Sequence, residues 1–342
     1  MTRRRAQIPI AVAVLLVMLV VGASLGPHGP SVLHVARALF DRATFGVFHL
    51  GLDAHGDAIV FQIRLPRVVL AGMVGAMLSI AGASYQGVFR NPLVDPYLLG
   101  VAAGAGLGAT FVFVIGRSAT AGWVVDPLPA AAFVGALAAV ALTYAVGASF
   151  GASQSRTTLV LAGVAVTSLA SATQAFVLMR NQPVINQVYS WILGRLTSAS
   201  WHDVTLVGPY IAVSCVVLLM HRRILDVLRV GDDEASALGI NVARVRIIVV
   251  VAATMGTAAA VSVSGLIGFV GIIVPHAVRL GFGSSYRQVL PLSLLIGAAF
   301  LIAADIPGRI LQKPAEVPIG VVTAFFGAPF FIVILRSRPV AQ

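Results

Sequence analysis

The chain has 342 residues, 58% of them hydrophobic and 10% charged, and a mean hydropathy of +0.97, which excludes a water-soluble globular domain. Its net charge is +11, but the basic residues stand singly at the ends of apolar runs, so they do not build a nucleic-acid-binding face. The lone cysteine, Cys215, excludes an intrachain disulfide and a multi-cysteine metal site.

The N-terminus, MTRRRAQIPIAVAVLLVMLVVGASLG, joins a basic start to an apolar run. A cleaved signal peptide has the same pattern, but the multi-span remainder favours a retained first helix, with Arg3, Arg4 and Arg5 holding the N-terminus in the cytoplasm. Apolar runs of spanning length predict ten helices, at residues 8–25, 66–85, 97–115, 128–149, 158–179, 204–221, 243–263, 265–280, 288–305 and 318–335. The expected fold is therefore an all-α polytopic membrane protein, one domain over residues 1–342, with both termini cytoplasmic. Most basic residues then fall inside, as the positive-inside rule asks; Arg64, Arg67, Arg309 and Lys313 are among those left outside.

The first outer loop carries His49, Asp53, His55 and Asp57. Spacings of two and four along a loop do not fix a ligand geometry, and a solvated loop is the plainer reading. Arg64-Leu65-Pro66-Arg67 opens the second span. Pro66 suits the first turn of a helix, which places both arginines at the outer membrane surface, where ordinary snorkelling anchors would look the same. Ala71, Gly75 and Ser79 share one helical face, and Gly100, Gly104 and Gly108 another, the pattern of close helix packing in lipid. Between them Asn91, Pro92, Asp95 and Pro96 break the helix and restart it in a tight or re-entrant turn.

In the fifth span Thr167, Ser171 and Gln174 recur at helical spacing and mark a candidate translocation path. Serine and threonine can instead bond their own helix carbonyls. The stretch from Arg180 to Asp203 is too polar to cross, and Tyr189, Trp191 and Trp201 suit a helix lying on the outer face. Next comes a polar island, RVGDDEASALGINVARVR, from Arg229 to Arg246. Asp232, Asp233 and Glu234 supply an N-cap and negative charge for a two-turn helix, Gly239 is placed as its C′ residue, and Asn241 caps the next helix. This is an exposed handle that a cytosolic motor would grip. The seventh and eighth spans meet at Ser264-Gly265, too tightly for two full-length spans, and His276 at a helix end reads as structural.

Every Asp and Glu is placed in a loop or at a span end, which counts against an ion-driven carrier. No G-x-x-x-x-G-K-[ST] is present, so the chain holds no P-loop of its own. Catalytic residues, a metal and a cofactor are not expected.

Five stretches together resemble the FecCD-type permeases of bacterial ABC importers for iron-siderophores, haem and vitamin B12. They are Arg64-Leu-Pro-Arg67, QGVFRNPLVDPYLLG from Gln86 to Gly100, Asp233-Glu234-Ala-x-x-Leu238-Gly239, Gly268-Phe-Val-Gly271-x-x-x-Pro275-His276-x-x-Arg279, and the run from Pro318 to Phe331. The resemblance implies a type II ABC importer permease with ten helices, paired with a second permease subunit, two cytosolic ATP-binding subunits and a periplasmic or lipid-anchored substrate-binding protein. It implies coupling helices at about residues 222–239, with Asp232, Asp233, Glu234, Ala235, Leu238 and Gly239 meeting the ATPase. It also implies docking of the binding protein on Arg64, Arg67 and Arg309, and a path along the fifth span. An ion-gradient-driven carrier of a metal chelate, and a membrane-embedded sensor or scaffold, stay open as alternatives.

Overall fold

The computed structural model describes residues 6–26, 30–45, 47–48, 52–116, 126–149, 156–311 and 315–337. Arg3, Arg4, Arg5, His49 and Lys313 lie outside the described residues. The helices are α1 (Gln7–Ser24), α2 (Val32–Ala43), α3 (Ala54–Phe89), α4 (Val101–Ile115), α5 (Pro127–Ala148), α6 (Arg156–Arg180) and α7 (Ile185–Ile192). They continue as α8 (Trp201–Met220), α9 (Arg222–Leu228), α10 (Asp232–Ala237), α11 (Val242–Ser264), α12 (Val270–Phe282), α13 (Tyr286–Ile310) and α14 (Ile319–Ser337). No strand occurs among the described residues. Apolar helices occupy each predicted place. Among the described residues, seven are long and apolar enough to cross a membrane, while Val101–Ile115, Val270–Phe282 and Ile319–Val333 are shorter.

The bundle is built around α3, whose most apolar window is 89% buried. It packs against α13, α11, α12 and α8, and the small-residue stripes explain how closely. A Cβ at Gly75 would collide with the Gly297 carbonyl of α13, one at Gly82 with the Gly271 backbone of α12, and one at Gly104 with the Gly135 carbonyl of α5. In lipid, where apolar side chains gain little by leaving the acyl chains, such backbone contact supplies the packing attraction. Gly82→Ala is therefore expected to destabilise the bundle by about 1–3 kcal/mol. Gly208→Ala, whose Cβ would meet only the Met73 terminal methyl at 3.6 Å, should be neutral or slightly stabilising. Melting of both variants in one detergent checks the contrast.

Two expectations about element ends and one about an interfacial residue are corrected. The second span does not begin at Pro66: α3 runs back to Ala54 through a π-helical stretch, Ala58–Arg64. Proline has no N–H to offer four residues back, and the helix widens just upstream, where the Leu65 N–H reaches the Val60 carbonyl. The eighth span begins at Val270 rather than Gly265, because residues 265–268 are non-helical and Phe269 is left-handed at φ 68°. At 13 residues, α12 is about 20 Å long, short of the roughly 30 Å hydrocarbon core. Trp191 is no interfacial anchor, being only 2% exposed. Tyr189 and Trp201 are exposed, and the Trp201 indole donates to the Phe61 carbonyl at 2.9 Å.

Candidate functional site

The polar island follows α9 and forms α10 and the first turn of α11. The N-cap of α10 is Gly231, without a side-chain bond, so Asp232, Asp233 and Glu234 fill the first turn instead of capping it. Their charge still faces the positive end of the helix dipole. The C-terminal end is a Schellman closure: Ile240 N–H donates to the Ala235 carbonyl and Gly239 N–H to Ser236, with Gly239 at φ 79°. Asn241 then accepts from Arg244 N–H and starts α11. A two-turn helix is marginal alone, and here it is clamped. Arg90, at the end of α3, donates to the Leu228 carbonyl at 2.6 Å and to Asp232 at 2.8 Å, while Arg246 of α11 reaches Asp232 at 3.2 Å. Asp233, Glu234, Leu238 and Gly239 point outward, with Leu238 71% exposed. Ala235 is buried and seats the helix.

Beside this clamp lies the turn joining α3 to α4. Arg90 is left-handed at φ 50° and ends α3. Asn91 and Asp95 each accept a backbone N–H two residues on, from Leu93 and Tyr97. Tyr97 hydroxyl and the Ile267 backbone bond each other, tying this turn to the α11–α12 break. Burial pushes the Asp95 carboxyl up from 3.8 to about 6, against the lowering effect of the Tyr97 N–H. A carboxyl raised on folding favours its protonated form, so its stabilising contribution is full below the ordinary value and lost as pH rises through the folded one. Asp95→Asn keeps the acceptor and removes the charge. Across that window its melting temperature should vary less with pH than that of the parent, and above the window the variant should be at least as stable.

Toward the N-terminal part of α3, Arg64 and Arg309 reach the last turn of α1, and Arg67 joins them through Asp305. Arg64 donates to the Ala23 and Ser24 carbonyls at 3.3 and 2.5 Å. Arg309 donates to the Gly22 carbonyl at 2.9 Å and, through Nε and Nη2, to Asp305 one turn back on α13. Arg67 grips both Asp305 oxygens, at 2.9 and 2.8 Å, and pairs with Glu316 at 2.7 Å. The guanidiniums cap carbonyls that have no helical partner, while the carboxylates compensate the buried charge. The expectation that these arginines stand at the surface is corrected: Arg64 and Arg309 are 7% and 4% exposed, and they brace α1, α3 and α13 together. Asp305, placed by sequence at a span end, lies inside α13 and is 2% exposed.

The α6 stripe divides. Gln174 turns inward and donates to the Gly106 carbonyl and Thr110 hydroxyl of α4, at 3.2 and 2.8 Å. Thr167 sits against Gly100, and Ser171 is exposed. Of the three, Ser171 alone lies on the open face, and Gln174 is a clasp between helices. In the first loop Asp53 accepts from Gly56 N–H and Asp57 pairs with Arg42 at 3.4 Å, so both have local structural partners.

The family model described as the FecCD transport family matches residues 13–337. The chain is 41% identical over 324 residues to the cobalamin import system permease protein BtuC of Halobacterium salinarum, covering 94% of this chain and 86% of that protein. It is 37% identical over 284 residues to the hemin transport system permease protein HmuU of Yersinia pestis, covering 82% and 84%. A solved inward-facing structure described as of the metal-chelate ABC transporter type superposes with a TM-score of 0.82 at 27% identity, covering 97% of this chain and 99% of that one. With its apolar helices, its exposed two-turn helix and these likenesses along nearly its whole length, the chain is an integral membrane protein that belongs to the FecCD transport family.

Proposed function

We propose that the chain is the membrane-spanning subunit of an ABC importer that moves an iron chelate across the bacterial cytoplasmic membrane, using ATP hydrolysed by a separate subunit. The observation that carries this reading is α10: a helix braced from two sides within the chain, yet offering Asp233, Glu234 and Leu238 to solvent at one end of the bundle. Such a lever transmits force in either direction, so closure of two motor subunits on the α10 helices of two permease chains would rotate the bundles about a shared axis. The ten apolar helices then all span, with both termini cytoplasmic. A periplasmic or lipid-anchored binding protein delivers cargo at the Arg64 end, on a surface that the buried arginines hold in shape.

Relatives named for cobalamin, hemin and ferric citrate transport leave the cargo class open among bulky metal chelates; a ferric siderophore or related iron chelate is the proposed cargo. No cofactor is assigned, and no covalent step on the cargo is required. The competing reading is a carrier driven by an ion gradient. Uptake of radiolabelled iron chelate into cells expressing the full system separates the two: ATP depletion should abolish it while a protonophore under maintained ATP leaves it intact. The reverse pattern would establish the carrier.

A further inference from the structure

Where the end of α3 meets α9, α12 and α13 there is a cavity of about 340 Å³, lined by Arg90, Arg229, Arg279, Gln86, Ser284 and Tyr286 among others. Among its lining residues are three arginines and no carboxylate. Each guanidinium is steered toward the cavity by at least one partner that carries no charge. Arg229 donates to the Ser284 carbonyl at 2.8 Å, Arg279 donates to the Gln86 side-chain carbonyl at 2.6 Å and lies 5.8 Å from the Tyr286 ring centroid, and Arg90 donates to the Leu228 carbonyl. The nearby Asp232 lies outside the lining and is already shared by Arg90 and Arg246. Asp226 faces the start of α13, accepting from the Ser285 hydroxyl and the Tyr286 N–H.

We infer that this cavity binds a phosphate-bearing anion. Planar guanidiniums present paired donors that match phosphate oxygens, and three of them in a recess partly screened from water hold such a group far better than isolated surface arginines do. The recess opens where the helices end, at a membrane surface, and a basic pocket between helices at that depth takes the headgroup of an anionic lipid. Free phosphate has the same chemistry. Bound there, the anion bridges α9, which precedes the exposed α10, to α12 and α13. The inference rests on the cavity and not on the import reading, so either can fail without the other.

The test uses the full-length protein in lipid nanodiscs. Native mass spectrometry reads the phosphatidylglycerol retained from discs that mix it with phosphatidylcholine, and equilibrium dialysis reads radiolabelled orthophosphate. Arg229→Gln, at an exposed position, and Arg279→Gln are compared with Arg223→Gln, an exposed arginine of α9 outside the lining. If the source is lipid, each pocket substitution should weaken phosphatidylglycerol retention about tenfold, as expected for loss of a charged hydrogen-bonding partner, with Arg223→Gln unchanged. If the source is free phosphate, orthophosphate binding should show that dependence and retention should not. Should Arg279→Gln fail to fold, Arg229→Gln alone carries the comparison. Equal binding of both probes by parent and pocket variants would overturn the inference.

Discussion

Asp305→Ala should strip most folded protein from the membrane. The carboxylate is 2% exposed and accepts from two guanidiniums that are themselves largely buried. Removing one partner of a buried ion pair leaves the other charge without compensation, at a cost of about 3–5 kcal/mol. Here Arg309 loses its paired carboxylate, Arg67 keeps only Glu316, and α1 loses the group that aims Arg309 at its last carbonyls. The double variant is the sharper case. Asp305→Leu with Arg309→Met removes both a negative and a positive charge, so it should be less destabilised than the sum of the single changes. Melting of the four proteins in one detergent gives the coupling. Additive effects would mean that the cluster does not act as a unit.

The second large effect concerns α10. Asp233→Lys with Glu234→Lys should reduce cargo uptake at least about tenfold, while the protein stays folded, because both side chains are exposed. Reversing charge in the first turn of a helix costs about 0.3–1 kcal/mol per residue through the dipole, too little to unfold a bundle of this size. Asp232 gives the contrasting case: it holds α10 against Arg90 and Arg246, so Asp232→Lys should lower both melting temperature and uptake. Uptake and membrane abundance measured on the same cells separate loss of coupling from loss of protein.

What could be read from sequence was local. The apolar runs placed the helices because spanning length is written in consecutive residues. Gly239 and Asn241 were legible because caps depend on residues within a few positions of one another. The small-residue stripes announced close packing, and the structure supplies the partners, Gly297 for Gly75 and Gly135 for Gly104. The arginines misled because their partners are remote. Arg67 and Asp305 are separated by 238 residues and Arg90 and Asp232 by 142, and no local pattern says whether an arginine at a helix end faces water or a carboxylate. The only nearby hint was Asp305 four residues before Arg309, a spacing at which helical side chains meet. Gln174 shows the same limit: a polar residue in an apolar helix serves a clasp as readily as a path, and its partners on α4 are remote in sequence.

The lever role proposed for α10 requires that a separate ATPase drive this chain by gripping it. Its most direct test is ATPase activity of the chain co-purified with its ATP-binding partner in lipid, with and without a binding protein loaded with ferric siderophore, haem or cobalamin. Hydrolysis should rise with one loaded binding protein and fall to the unstimulated level when Asp233 and Glu234 are replaced by lysine. If no ATP-binding subunit co-purifies, or if the lysine variant is stimulated as fully as the parent, the lever role of α10 is contradicted.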